Sequence, residues 1–443
     1  MNIKAGEQWR LAAPLPAGGA ALQPRLGSDP LLDALAFLIP IFVFQEFRGV
    51  GRLFLPELLL LALLPWLLTR ETLNRVPRSV VVLGIMWLFG QVLTDAVHGS
   101  AFADYSRGWS KIAFTLTNFC ALYLLLNGNP RRLLLFGFGL AAGLVLQYYL
   151  DPGIYAAGDP WKFGLGWPIT FLGVLLVAWG PVSRLRPVPP VVLAILAVVN
   201  LQNGFRSLAG ICFLASGYLL IQLLSRSRSF RRARLSFPRL IFVCAFGLGG
   251  FAMCLQIYSL SVQAGWLGQD AQRKYEQETG GAWGLIIGGR SEVLVSTQAI
   301  LDSPIIGHGS WAKDFSYTDL LTERLARYGY TFAPGQVDTE PGLIPTHSYL
   351  LGAWVEAGIL GALFWLAVLV GVALVLMNLY ASRLPISPLI AFVAFSLAWD
   401  VLFSPFGAMG RLIAPYYLVL IFFAWQQLRD APDIRAIQES SSS

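Results

Sequence analysis

The chain has 443 residues, 56% of them hydrophobic and only 13% charged, and its mean hydropathy is +0.61. Ordinary globular domains carry about twice that charge fraction, so a string of two or three soluble domains is excluded. The net charge of +7 would suit a nucleic-acid partner in a soluble protein, but here the basic residues cluster between apolar runs. No basic domain interleaved with aromatics is present, so no nucleic-acid partner is expected.

Residues 1–30 are rich in Pro, Gly and Ala and weakly basic (Lys4, Arg10, Arg25). No cleavable signal is expected ahead of a mature domain, and the first apolar run is expected to stay as a signal anchor. Runs close to the ~20-residue bilayer length then recur along most of the chain. They predict an all-α polytopic membrane protein of about twelve transmembrane helices, with the lipid bilayer as its first partner. The spans are expected near 31–47, 53–69, 79–97, 109–126, 133–150, 164–181, 188–203, 204–224, 240–260, 347–378, 385–403 and 410–428. About nine form a bundle over 31–260, a polar loop or lid occupies 261–346, about three more spans fill 347–428, and a tail runs over 429–443.

Lys and Arg are retained on the cytoplasmic side of short loops. The sets Arg70, Arg75 and Arg78, Arg131 and Arg132, and Arg226 to Arg239 fall on one side, together with both ends of the chain. The opposite short loops hold only Arg48, Arg52, Arg107, Lys111, Lys162, Arg206 and Arg411. Both termini are therefore expected in the cytoplasm, with the 261–346 interval outside, which is the periplasm in a Gram-negative cell. The four cysteines, Cys120, Cys212, Cys244 and Cys254, lie in apolar runs without a CxxC pair, which reads as buried inert thiols.

Within the long interval, Gly268–Thr279 is polar and helix-permissive, Arg290–Leu301 is apolar at Val293, Leu294, Ala299 and Ile300, and Lys313–Tyr328 is amphipathic. His347 follows Pro345 at the external end of a span. An imidazole there is suited to accept a proton near neutral pH, or it is a hydrogen-bonded histidine at a helix start. Arg290 follows two glycines and presents a planar fork suited to phosphate oxygens, or snorkels to lipid headgroups. Arg206 lies in the turn Asn203-Gly204-Phe205-Arg206-Ser207, where a cation between apolar helices costs free energy unless it is paired or used. His308 in Gly307-His308-Gly309-Ser310 is a loop residue able to approach a ligand. Asp95, His98 and Asp104 make a poor metal set, and no metal or cofactor is expected. Asp400 and Arg411 border the last external loop, as an ion pair or as cavity-lining groups. Lys111 and Arg107 flank Trp109 as belt-like anchors.

Taken in order, Asn203-Gly204-Phe205-Arg206-Ser207, Gly289-Arg290-Ser291-Glu292, Pro304-Ile305-Ile306-Gly307-His308-Gly309, Thr346-His347-Ser348-Tyr349-Leu350 and Glu356-Ala357-Gly358-Ile359-Leu360-Gly361 resemble the signature of the O-antigen ligase and polymerase superfamily. By motif the resemblance covers 203–361, and by topology most of the chain. Ser348 departs from it, standing where the family commonly has Asn after the histidine. The resemblance implies a metal-independent, inverting membrane glycosyltransferase of the GT-C type in the inner membrane, acting in lipopolysaccharide biosynthesis. Its donor would be a glycan on undecaprenyl diphosphate and its acceptor a hydroxyl of lipid A–core oligosaccharide. His347 would be the base, Arg206 and Arg290 would bind the donor diphosphate, and His308, Ser348 and Arg411 would lie nearby. An O-antigen polymerase of the same superfamily is the nearest alternative. A polytopic flippase or transporter of lipid-linked glycans is the alternative of another class.

Overall fold

The computed structural model describes residues 29–49, 51–70, 76–126, 128–180, 182, 185–224, 237–279, 290–329, 342–380, 384 and 386–429. The expected N-terminal segment up to residue 28, the basic cluster at 226–234, Gly288-Gly289 and the tail from 430 lie outside the described residues. The first bundle comprises α1 (Pro30–Ile41), α2 (Leu55–Arg70), α3 (Arg78–His98), α4 (Phe102–Leu126) and α5 (Pro130–Leu150). A short α6 (Gly153–Gly158) and a π turn (Trp161–Leu165) lead into α7 (Gly166–Ala178), α8 (Val188–Gln202), α9 (Arg206–Leu224) and α10 (Phe237–Gln263). Three further helices follow: α11 (Gly268–Thr279), α12 (Glu292–Asp302) and α13 (Phe315–Arg327). The chain ends in α14 (Tyr349–Leu379), α15 (Ser387–Phe403) and α16 (Gly410–Arg429).

Seven helical segments among the described residues are long and apolar enough to cross a membrane: α3, α4, α5, the π turn with α7, α9, α10 and α14. The protein is an all-α polytopic membrane protein. One small exception to pure helix is an antiparallel hairpin, β1 (Glu46–Arg48) with β2 (Arg52–Phe54), between α1 and α2.

Local chemistry sets the helix ends. Asp29 accepts from the amides of Leu31 and Leu32 with Pro30 in the first turn, and Asn129 repeats the arrangement with Arg131 and Pro130. Helix approach is set by small residues, as is usual where lipid supplies no hydrophobic drive between helices. A Cβ on Gly139 would lie 2.1 Å from the carbonyl oxygen of Phe37, so α1 and α5 pack backbone to backbone.

Helix α14 is the axis of the core, packed on α3, α15, α16 and α10. Two arginines buried in the bundle are paired with carboxylates, as a low-dielectric interior favours. Arg411 grips Glu57 with Nε at 2.7 Å from Oε1 and Nη2 at 2.8 Å from Oε2, and Arg132 Nε lies 2.9 Å from Asp33 Oδ1. Arg411 therefore pairs with Glu57, and the Asp400–Arg411 ion pair suggested by sequence order is not formed.

A second, smaller core caps one end of the bundle. Val295, Ala299 and Ile300 of α12 and Tyr317, Leu321 and Leu325 of α13 enclose Ile344 and Val355. The Tyr317 hydroxyl donates to Asp302 at 2.7 Å, and that bond, with one from Gln298, holds the Asp302 carboxyl below its usual range. The polar interval thus carries a folded unit on the bundle end where α3, α5 and α8 finish and α4, α9 and α14 start.

Candidate functional site

Two breaks in regular structure build this end of the molecule. Helix α14 is interrupted at Gly358, whose φ of 63° and ψ of −155° leave the helical region. The interruption exposes backbone groups, which must find partners away from water. The 304–310 loop supplies them: His308 N donates to Val355 O at 2.7 Å, Gly309 N to Glu356 O at 3.1 Å, and Ile359 N to Ile305 O at 3.2 Å. Asp95, at the end of α3, pins the same loop. Its two oxygens accept from Ser310 N, Ser310 Oγ and Ser100 Oγ at 2.7 Å each and from Trp109 Nε1 at 2.8 Å. Asp95 is thus spent on structure, and no group of three His, Cys, Asp or Glu among the described residues is placed to hold a metal ion.

The second break is the extended approach to α14. Ser348 caps that helix, its Oγ accepting from Leu351 N at 3.1 Å and donating to Val401 O at 2.7 Å. His347, one residue earlier, is therefore fixed against the helix start while its ring stays half-buried. Its Nδ1 lies 3.7 Å from Oε1 of Glu292 in the first turn of α12. Burial weakens the imidazolium, and the positive charges of Arg290 and Lys162 weaken it further; Glu292 opposes them. The net effect sets the His347 pKa below its ordinary 6.5, so the ring is neutral at neutral pH.

Arg290 presents its guanidinium to the Trp399 ring at 5.9 Å, and Arg206 lies 4.9 Å from the centroid of Tyr258 on α10. Lys162 comes from the π turn, a helix irregularity that re-aims side chains. The turn is clamped by Trp161 Nε1, which donates to Asn200 Oδ1 at 3.0 Å, while Asn200 in turn donates to Thr170 Oγ1 at 2.8 Å. Phe205, beside Arg206, packs against the same turn at Gly166. No protein-family model matches the chain, and no match is found among curated proteins or among solved structures.

The structure thus brings His347, Arg290, Glu292 and Lys162 into one electrostatic neighbourhood, with Arg206 at the adjacent helix start. Lys162 and Glu292 were not singled out by the sequence reading. The only signal for Lys162 was a cation in a short loop that otherwise lacks them. The other candidates are held in structural roles. His308 donates from Nε2 to Ala299 O at 2.7 Å and packs edge-on to Tyr317. Lys111 is no belt anchor: it is buried and ion-paired with Glu356, and Trp109 is turned inward to Asp95.

Arg411 does line a cavity of about 920 Å³, together with Thr346, Ser348, Trp87, Trp311 and the hairpin. His347, between Thr346 and Ser348, is not among its lining residues. Alternate residues of an extended segment face opposite ways, and the Ser348 backbone is extended. The imidazole and the cavity therefore flank the same piece of chain.

Proposed function

We propose that the protein is a membrane glycosyltransferase, an O-antigen ligase that moves a glycan from undecaprenyl diphosphate to a hydroxyl of lipid A–core oligosaccharide. On this reading all twelve apolar segments cross the inner membrane, both termini are cytoplasmic, and the α12–α13 cap faces the periplasm. The observation that carries the proposal is the convergence of Arg290, Lys162 and Glu292 on a neutral, half-buried His347. Arg206 stands at the neighbouring helix start, and the five sequence motifs add the family resemblance.

A neutral imidazole is a base in waiting. The acceptor O–H gives its proton to the ring as the oxygen attacks the anomeric carbon, and the new C–O bond forms on the face opposite the old one. The old bond to the diphosphate breaks, its electron pair leaves on the phosphate oxygen, and the configuration inverts. Arg290, Arg206 and Lys162 offset the charge that develops there, which is the role fixed cations play best when they are held in place beforehand. Glu292 holds the ring by the nitrogen nearer to it and stabilises the imidazolium once it forms. The polyprenyl chain runs along the apolar helices, while its glycan stays in water.

Reconstitution of the purified chain with lipid-linked glycan and lipid A–core, with and without chelator, tests this. Transfer that survives chelator and is lost in His347→Ala is the expected result. Full activity in His347→Ala would remove the base, and a strict metal requirement would overturn the cation-only account. Extension of one lipid-linked repeat by another, with lipid A–core left unmodified, would make the enzyme a polymerase.

A further inference from the structure

The cavity beside the 346–348 segment is a built pocket that the reaction chemistry above does not use. Its lining residues include five cationic side chains, Arg48, Arg52, Arg107, Lys111 and Arg411, and one acid, Glu356. They come from the hairpin, α4 and α16, so the fold, not one basic run, gathers them. Two of the five are neutralised at depth, Lys111 by Glu356 and Arg411 by Glu57. Nearer the mouth, Arg48 and Arg52 are 67% and 57% exposed and share Glu46, whose carboxyl is held low chiefly by the Arg52 hydrogen bonds. Arg48 also meets Asp151, but that contact is exposed on both sides and correspondingly weak.

Aromatic faces stand among the charges. Trp311, held at a positive φ of 51° next to the Asp95-pinned loop, lies within 5.7 Å of the Arg107 guanidinium and 5.5 Å of the Lys111 ammonium. Trp87 is 1% exposed, and its indole N–H has no hydrogen-bond partner among the described residues. A buried donor left without an acceptor is uncommon in native structures. Guanidinium forks prefer planar or tetrahedral oxyanions, and indole faces and donors suit sugar rings. At about 920 Å³ the cavity lies at the upper end of small-ligand pockets, roughly 300–1,000 Å³.

The geometry points to this cavity as a recognition subsite for the acceptor, which it assigns to the class of glycolipids whose headgroup carries phosphate. The subsite rests on the transferase reading for its role, because the pocket flanks the chain segment that bears His347. Phosphate held by Arg48, Arg52 and Arg107 positions the headgroup, while its reacting hydroxyl reaches the imidazole on the other face of that segment. Binding energy from a non-reacting group is thereby used to place the nucleophile.

The test uses the full chain in nanodiscs of uncharged lipid, with three probes: phosphorylated lipid A–core, the same glycolipid after enzymatic dephosphorylation, and inorganic phosphate. The phosphorylated form is expected to bind about tenfold or more tightly than the dephosphorylated one. Arg107→Gln and Arg52→Gln should each reduce that preference, Arg107→Lys should retain part of it, and the donor KM should stay unchanged. Arg107→Gln leaves the Glu46–Arg52 contact of the hairpin intact, so it reports even if Arg52→Gln disturbs folding. Equal binding of the two glycolipids, or a preference untouched in both variants, would overturn the subsite. Full competition by micromolar inorganic phosphate would overturn the glycolipid class in favour of a free-anion site. Failure of the transferase reading looks different: an arginine-dependent preference without glycan transfer leaves the subsite standing and removes the reaction. Transfer without any phosphate preference does the reverse.

Discussion

Glu292 and His347 face each other across the junction of the α12–α13 cap and the membrane bundle, with Oε1 3.7 Å from Nδ1. One acid and two cations act on the same ring in opposite senses, and burial, aided by the cations, prevails over the acid. The resulting neutral imidazole gives a signed prediction. Its pKa is lowered in the fold, so the unprotonated form, the base of the proposed transferase, persists below pH 6.5 and is lost as pH falls through the depressed value. The unfolded chain takes up that proton first, so stability also declines on acidification through the same window. Glu292→Gln removes the opposing negative charge and should shift the acid limb of the kcat/KM profile to lower pH, with a loss of rate of about tenfold or more. Lys162→Met removes a cation and should shift that limb upward. A profile unmoved by both substitutions would separate the titrating group from His347.

Arginine at 206 and 290 is expected to matter for shape as well as charge. A guanidinium offers paired donors to a phosphate, whereas an ammonium offers a point charge on a flexible stem. Arg290→Lys should therefore lower kcat/KM for the lipid-linked donor by about tenfold to a hundredfold. Arg206→Lys should lower it by a similar factor, with the acceptor KM unchanged in both. Donor titrations read at saturating acceptor check this, and wild-type kinetics in the Lys variants would place the diphosphate elsewhere.

The bundle was legible because its signal is long-range in composition but local in sequence: apolar length, capping residues and proline or glycine stops define each helix where it stands. The helix over Gly268–Thr279 was readable from its polar, helix-permissive composition, and those near 292–302 and 315–327 from the spacing of their apolar residues. What brings Lys162 to His347 was not readable. It depends on a π turn held by Asn200, a hydrogen bond between residues 39 apart in sequence. The hairpin escaped because Glu46-Phe47-Arg48-Gly49 is too short to show alternation. The Glu57–Arg411 pair escaped because its members are 354 residues apart, and sequence order offered the nearer Asp400 instead.

The break in α14 carries its own prediction. Gly358 stands at positive φ, and a Cβ there would fall 2.0 Å from Ile305 O and 2.6 Å from the Ile306 carbonyl carbon. Neither backbone atom can yield, since both belong to the loop that satisfies the exposed helix amides. Gly358→Ala should cost more than about 3 kcal/mol and release the 304–310 loop. Thermal unfolding in detergent and proteolysis at that loop measure the two effects. A variant with unchanged melting and protection would show that the helix can close over this position.

Lys111 and Glu356 test whether the junction depends on charge itself or on completed pairs. The ammonium is 10% exposed and the carboxylate 18%, and the carboxylate sits on the turn of α14 that leads into the Gly358 break. Desolvating either group alone is costly, so Lys111→Met should destabilise the protein by about 3–5 kcal/mol through the stranded carboxylate. Replacing both partners removes both desolvation costs along with their attraction. Lys111→Met with Glu356→Leu should therefore recover most of that loss, and the two single effects should sum to much more than the double. A double-mutant cycle in detergent, read as melting temperature, decides it. Additive single effects would mean that the two side chains are coupled to different partners and that their pairing contributes nothing to the joint between α4 and α14.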